Sequence, residues 1–416
     1  MSRKTLAKSY RLVLAVLIAT SLIFHLAILW ASRSQIAAGY GDFIIFYTGA
    51  QIVNDGKSAE LYNVETQNAY QAKFDVPQLN WPLPFNHAPY ELFLFLPLVQ
   101  FSYPVAHVIW SGFNLLLIVA MLRWLIPYAD SPYGYFIGAS VLSWFPTMEA
   151  LRLGQDSILS AAILLAVFVA LKQKRDAWAG ALLALGLYKP QVVLTMVGAF
   201  LIAGRWKSLA AFGITAMILV AVSLGMIGWR GATDLVSILS QMDRYSFVVQ
   251  PLIMPNVRGL SAVLWHSEIL GLSVGMMTFV ISLALYALCL YFWRQEYDVL
   301  DPRFDLRFSL TVVVTVLVSY HLYAHDLFLL SLPLILSFRH ISLIRPTHWP
   351  LPYALFLLLM IIFIPYAPRY LIDAKAFGWG AVPTLLLFMI IITAIVYYEG
   401  GEIVESRSQT AKLSAD

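Results

Sequence analysis

Leu12-Val-Leu-Ala-Val-Leu-Ile-Ala-Thr-Ser-Leu-Ile-Phe-His-Leu-Ala-Ile-Leu-Trp30 runs without an Asp, Glu, Lys or Arg. One helical crossing of a bilayer core takes about 20 apolar residues, so this stretch is long enough to span. Arg3, Lys4, Lys8 and Arg11 precede it, as in a secretory leader. The apolar part is longer than a typical cleaved one and no convincing small-x-small site follows, so it reads as a retained first helix with its basic end in the cytoplasm.

The rest of the chain repeats the pattern. Hydrophobic runs recur at 88–100, 104–122, 133–148, 156–171, 177–203, 208–228, 270–293, 307–324, 326–338, 350–366 and 379–398. Hydrophobic residues make up 60% of the chain and charged ones 12%, against about 25% charged in soluble domains. A chain of this composition uses lipid as its solvent. Its backbone groups must then be satisfied internally, and continuous rather than alternating apolar runs select helices over a barrel. The expected fold is an all-α integral membrane protein, a polytopic helix bundle of about 11–13 hydrophobic segments.

Charge sets the expected topology. Lys172 to Arg175, Arg205 with Lys207, Arg294 with Arg303 and Arg307, and Arg339 with Arg345 read as cytoplasmic. Every cluster falls inside if 88–100 is re-entrant or interfacial and 177–203 is a hairpin turning at Lys189-Pro190. Residues 1–398 then form one transmembrane domain. Within it, 32–87 is the first extracytoplasmic loop, 229–269 the second large one and 367–378 a third. Residues 399–416 are a polar, disordered cytoplasmic tail. A net charge of +4, dispersed along the chain, gives no reason to expect nucleic acid. The single cysteine, Cys289, can form no intrachain disulfide.

The first loop opens on Gly41-Asp42-Phe43-Ile44-Ile45-Phe46-Tyr47. Phe43, Phe46, Tyr47 and Ala50 share one face at helical spacing, ending at Asp55-Gly56, so an amphipathic helix lying on the membrane surface is expected. Asp42 reads either as the cap of that helix or as a general base that takes a proton from an attacking hydroxyl. Further along, Gln155 and Asp156 in Arg152-Leu-Gly-Gln-Asp156 are placed to bind sugar hydroxyls or to form a solvated turn. Lys189 is a lone lysine in an apolar run and needs a partner, for which a phosphate serves. Arg258 is suited to a phosphate or pyrophosphate. His321 and His325 stand four apart on a helix, hence on one face, where they could bind a metal, hold a phosphate or orient a carboxylate. No metal site is assigned and no cofactor is called for, although the sequence leaves a divalent cation open. There is no Walker loop, no dinucleotide glycine fingerprint and no soluble domain for a nucleotide sugar. An enzyme built this way takes its activated substrate from the membrane.

The ordered motifs Asp42-Phe-x-x-Phe-Tyr47, Leu61-Tyr62, the Pro- and aromatic-rich stretch 81–89, Gly154-Gln155, Lys189-Pro190 and Tyr323-Ala-His-Asp326 resemble glycosyltransferase family 87. These are C-type membrane enzymes that include polyprenyl-phosphate-mannose-dependent mannosyltransferases. The resemblance implies an inverting transfer of a mannose-like sugar from a polyprenyl-phosphate donor to a lipid or glycan acceptor, outside a bacterial plasma membrane. Asp42 maps onto the family's catalytic carboxylate. Lys189, Arg258, His321 and His325 are then expected at the donor phosphate, and Tyr47, His87, Gln155, Asp156 and Asp326 about the substrates. Two departures stand out: Asn86-His87-Ala88-Pro89 replaces a Tyr-Pro-Pro, and Asp156-Ser157 follows Gly154-Gln155. A lipid or sugar transporter without covalent chemistry is the alternative, since broken helices with intramembrane His and Lys suit it too.

Overall fold

The structure is a computed structural model that describes residues 3–74, 83–128, 134–241, 250–264, 273–294, 298–344 and 378–413. The expected hydrophobic run 350–366, nearly all of the third outer segment and Trp81-Pro82 lie outside the described residues.

All regular structure among the described residues is helical. The chain enters through α1 (Arg3–Ala37), then folds α2 (Phe43–Asn54) and α3 (Val64–Gln71). The run at 88–100 is two short 3-10 turns, Pro89–Leu94 and Leu96–Gln100, too short to cross a bilayer. Next come α4 (Tyr103–Leu125), α5 (Gly134–Leu142), α6 (Phe145–Leu153), α7 (Ser157–Lys172), α8 (Asp176–Leu185), α9 (Pro190–Ile202) and α10 (Trp206–Gln241). The C-terminal part holds α11 (Val257–Leu264), α12 (Val274–Phe292), α13 (Pro302–Val318), α14 (Ser331–Ile344) and α15 (Ala381–Leu413).

Among the described residues, five stretches are long and apolar enough to cross a membrane: Ala15–Ala37, Tyr103–Leu125, Trp206–Gln241, Val274–Phe292 and Gly378–Tyr398. The pair α6 and α7, bent by 119° at its break, makes a sixth if it is one span. Asp176–Tyr188, Pro190–Ile202 and Ala324–Ser337 are shorter apolar helices, because proline and polar breaks divide their runs. Pro190 starts α9 at a position where its missing N–H costs nothing, which leaves Lys189 in the gap. The span predicted to end at 228 instead bends there: Gly228 takes φ +66° and the helix resumes to Gln241. The polar segment after 398 continues α15 as helix to Leu413, where a disordered tail was expected.

Helix α2 departs most from its prediction. Nine of its twelve residues are buried, on all sides, so it does not lie on a surface. The aromatic residues of the Pro-rich stretch and of α4 enclose it. Phe46 stacks on Phe95 at 4.7 Å, and Phe43 packs against Tyr103 at 5.4 Å and His107 at 5.2 Å. The polar loop ends are tied down too: Gln67 and Gln71 of α3 hold the backbone of Phe85 and Leu83.

Helices α7, α8, α9 and α13 share one arrangement. Each has a polar break at one end, at Asp156, Lys189 or Ser319–Tyr323, and basic residues at the other, among Lys172–Arg175, Arg205, Arg303 and Arg307. Sixteen residues of α7 separate the two ends, about 24 Å of helix. At the basic end, Lys172 pairs with Asp305 at 2.8 Å and Arg205 with Asp176 at 2.8 Å. The breaks converge at the opposite end.

Candidate active site

The convergence leaves a cavity of about 730 Å³. Asp42, His87, Gln155, Lys189, His321, His325 and Asp326 all line it, alongside Tyr188, Glu149 and Tyr323. Ile45, Leu83, Leu187, Leu235, Leu239 and Ile253 give it an apolar wall. Residues separated by up to 284 positions in sequence thus meet, taking Asp42 and Asp326 as the ends.

Two glycines bring Asp42 in. Gly41 has φ +118°, and Gly154, at the end of α6, has φ +68°. A Cβ on Gly154 would lie 2.5 Å from Phe43 Cβ, and one on Gly41 would lie 3.2 Å from Leu153 Cα. Only glycine accommodates both the backbone conformation and the approach. The start of α2 is thereby pressed against the α6–α7 break. Asp42 occupies the cap position of α2, yet its side chain makes no capping bond. Instead Gln155 Nε2 donates to Asp42 Oδ2 at 2.6 Å. Of the two readings of Asp42, the geometry drops the cap.

Across the cavity stands a buried ion network. Lys189 pairs with Asp156 and, at 2.9 Å, with Asp326. Asp326 also accepts from Ser157 Oγ at 2.6 Å and from the Tyr323 backbone N–H at 3.2 Å, and its other partner is His325 at 3.3 Å. Lys189 is therefore held by two carboxylates, partners that the sequence reading does not name, while it still lines the cavity. An apolar run tolerates a lysine when it is paired, and aspartates from two other breaks supply the pairing. Asp156 is fully buried, so the turn around it is not solvated. Arg152 is buried as well, in a two-point pair with Glu149.

His87 reaches the network from the side. Its Nδ1 is 2.7 Å from Glu91 Oε2 and 3.5 Å from Asp156 Oδ2, and its ring lies parallel to Tyr188. Burial works against charge on this ring, but the Glu91 and Asp156 carboxylates outweigh it and hold its pKa above the ordinary histidine value. Sequence reading missed Glu91. The signal was an acid inside an apolar run, four residues after a histidine.

Three further expectations are corrected. His321 and His325 are not on one helix: α13 ends at Val318, His321 lies in the non-helical break, and His325 is in the 3-10 turn Ala324–Leu330. They still face the same cavity. Arg258 does not line it; its guanidinium stacks on Tyr320 at 3.8 Å and donates to the Tyr320 carbonyl at 3.0 Å. Tyr47 does not line it either. It is buried in the aromatic cluster and donates to the Phe101 carbonyl at 2.7 Å.

A helical membrane protein whose broken helices enclose a cavity bearing both carboxylates and imidazoles is the class that fold and site define. Residues 85–319, more than half of the chain, match glycosyltransferase family 87, and the chain belongs to that family. It is a glycosyltransferase, an enzyme that uses a sugar donor and an acceptor. The match takes in His87, Gln155, Asp156, Lys189 and Arg258, while Asp42, His321, His325 and Asp326 lie beyond its ends. No curated protein and no solved structure matches the chain.

Proposed function

We propose that this protein transfers a mannose-like sugar from a polyprenyl-phosphate donor to a lipid or glycan acceptor, with Asp42 as general base and inversion at the anomeric carbon. The observation that carries the reading is Asp42 itself, a half-buried carboxylate in the shared cavity that caps no helix and is oriented by Gln155. Its Oδ2 takes the Gln155 bond, which leaves Oδ1 to receive a proton. The acceptor oxygen attacks the anomeric carbon as its proton passes to Asp42. The bond from that carbon to the phosphate oxygen breaks, and the electron pair leaves with the polyprenyl phosphate. His321 and His325, on the same cavity, supply N–H donors to the departing phosphate. Lys189 does not grip the phosphate directly; it sets the positions of Asp156 and Asp326.

The four helices that run from the breaks to the basic residues support a cavity on the extracytoplasmic side, because basic ends favour the cytoplasm. On this reading the membrane is a bacterial plasma membrane and both termini lie inside. The apolar wall, with Leu235 and Leu239 of α10 beyond the Gly228 bend, suits a lipid-linked substrate.

The test is donor choice. Purified protein is given one labelled sugar either on a polyprenyl phosphate or on a nucleotide diphosphate. Label is expected in the acceptor from the lipid-linked donor alone; transfer from the nucleotide sugar would overturn the donor assignment.

A further inference from the structure

We propose that His87, Glu91 and Asp156 form a site for one divalent transition-metal cation of the zinc or manganese kind. One ligand atom from each of the three lies within 4.8 Å of the others. His87 Nδ1 is 2.7 Å from Glu91 Oε2 and 3.5 Å from Asp156 Oδ2. Bonds of about 2.0–2.2 Å to a central ion ask for ligand atoms roughly 3–3.5 Å apart, so the His87–Asp156 separation already fits and the Glu91 carboxylate would swing away from His87 to admit the ion.

Two observations beyond the clustering point to a missing partner. Glu91 is 1% exposed, and its Oε1 has no hydrogen bond among the described residues. A carboxylate oxygen buried without a donor is costly and calls for a proton or a cation. Asp156 is fully buried too, and its Oδ2 likewise has no hydrogen bond among the described residues. The charges give the second reason. Glu91, Asp156 and Asp326 bring three carboxyls to a region where Lys189 is the fixed cation. Lys189 is engaged with Asp156 Oδ1, whereas Oδ2 faces His87. The free half of Asp156 thus points at the other two ligands.

The donor set names the metal class. One imidazole nitrogen with two carboxylate oxygens suits zinc or manganese better than calcium, which takes oxygen alone. Of the three ligands only His87 lines the cavity, so the ion would join the turn Pro89–Leu94 to the α6–α7 break from behind the cavity wall. Three protein ligands leave one position for water. This site does not depend on the donor assigned above, because binding is measured without turnover.

The full-length protein in detergent is stripped with chelator, then dialysed against zinc or manganese chloride, and bound metal is counted by mass spectrometry. One equivalent on the wild type is expected, with affinity at least tenfold weaker in E91Q and in H87A. The same cation should raise the melting temperature of the wild type and leave that of E91Q unmoved. E91Q keeps the shape of the side chain and removes one buried charge, so this variant keeps its metal-free melting temperature and serves as the folded control. A wild type that binds neither cation, or an E91Q that binds as the wild type does, overturns the site and leaves the His87–Glu91 pair as the whole account of the cluster.

Discussion

Two aspartates line one cavity and are held in opposite ways. Asp326 is buried and saturated: an ammonium, a hydroxyl, a backbone N–H and an imidazole surround it. Asp42 is half-buried, and its one side-chain hydrogen bond among the described residues comes from a neutral amide. A carboxylate fixed by a lysine is a poor base, because protonating it would take from a buried lysine one of its two counter-charges. A carboxylate held by an amide keeps its orientation and can still take a proton. The same residue type is thus assigned to structure on one wall and to chemistry on the other, and the number and charge of its partners make the difference.

The largest effect expected from this contrast is on turnover in D42N. Loss of a positioned general base costs about 10²–10⁴ in rate, and since Asp42 caps nothing, the melting temperature should stay where it is. Rates with a lipid-linked donor, read beside a melt, check both halves. A variant of near wild-type rate would return Asp42 to the rank of Asp326. Next is K189M, which removes the cation from between Asp156 and Asp326. Leaving buried carboxylates unpaired costs roughly 3–5 kcal/mol, so this variant should melt well below the wild type in any detergent. A K189M protein that is stable but slow would instead restore Lys189 as a direct phosphate ligand.

How much of this the sequence carried depends on the residue. The long apolar runs made the membrane helices legible, because composition alone decides whether a segment enters lipid. The breaks at Gly154–Asp156 and Lys189-Pro190 were legible too, through glycine and proline. What surrounds a residue was not. The 3.6-residue spacing of Phe43, Phe46, Tyr47 and Ala50 correctly gave a helix but not its burial, since Phe95 and Tyr103, which enclose it, lie some fifty positions away. The i, i+4 spacing of His321 and His325 assumed a continuous helix that ends at Val318, and only their meeting at the cavity survives. The sequence shows that Lys189 needs a partner but not which one, because its two aspartates lie 33 and 137 residues off along the chain.

Gln155 is where the contrast can be adjusted rather than broken. Its amide is neutral, so Q155L removes orientation from Asp42 without leaving a stranded charge. A hydrogen bond to a charged group contributes about 1.5–3 kcal/mol, and with cavity water taking part of the amide's place, a fall of about tenfold in kcat is expected, with little change in melting temperature. Q155E sharpens the point. It would set a second carboxyl where the amide stands 2.6 Å from Asp42 Oδ2, and two carboxyls so close retain a proton between them. The base would then be free only at higher pH, so the acid limb of the pH–rate profile should move up in Q155E and stay in place in Q155L. Equal profiles for the two variants would mean that Gln155 packs beside Asp42 without governing it. Then the difference between the two aspartates would rest on the saturation of Asp326 alone.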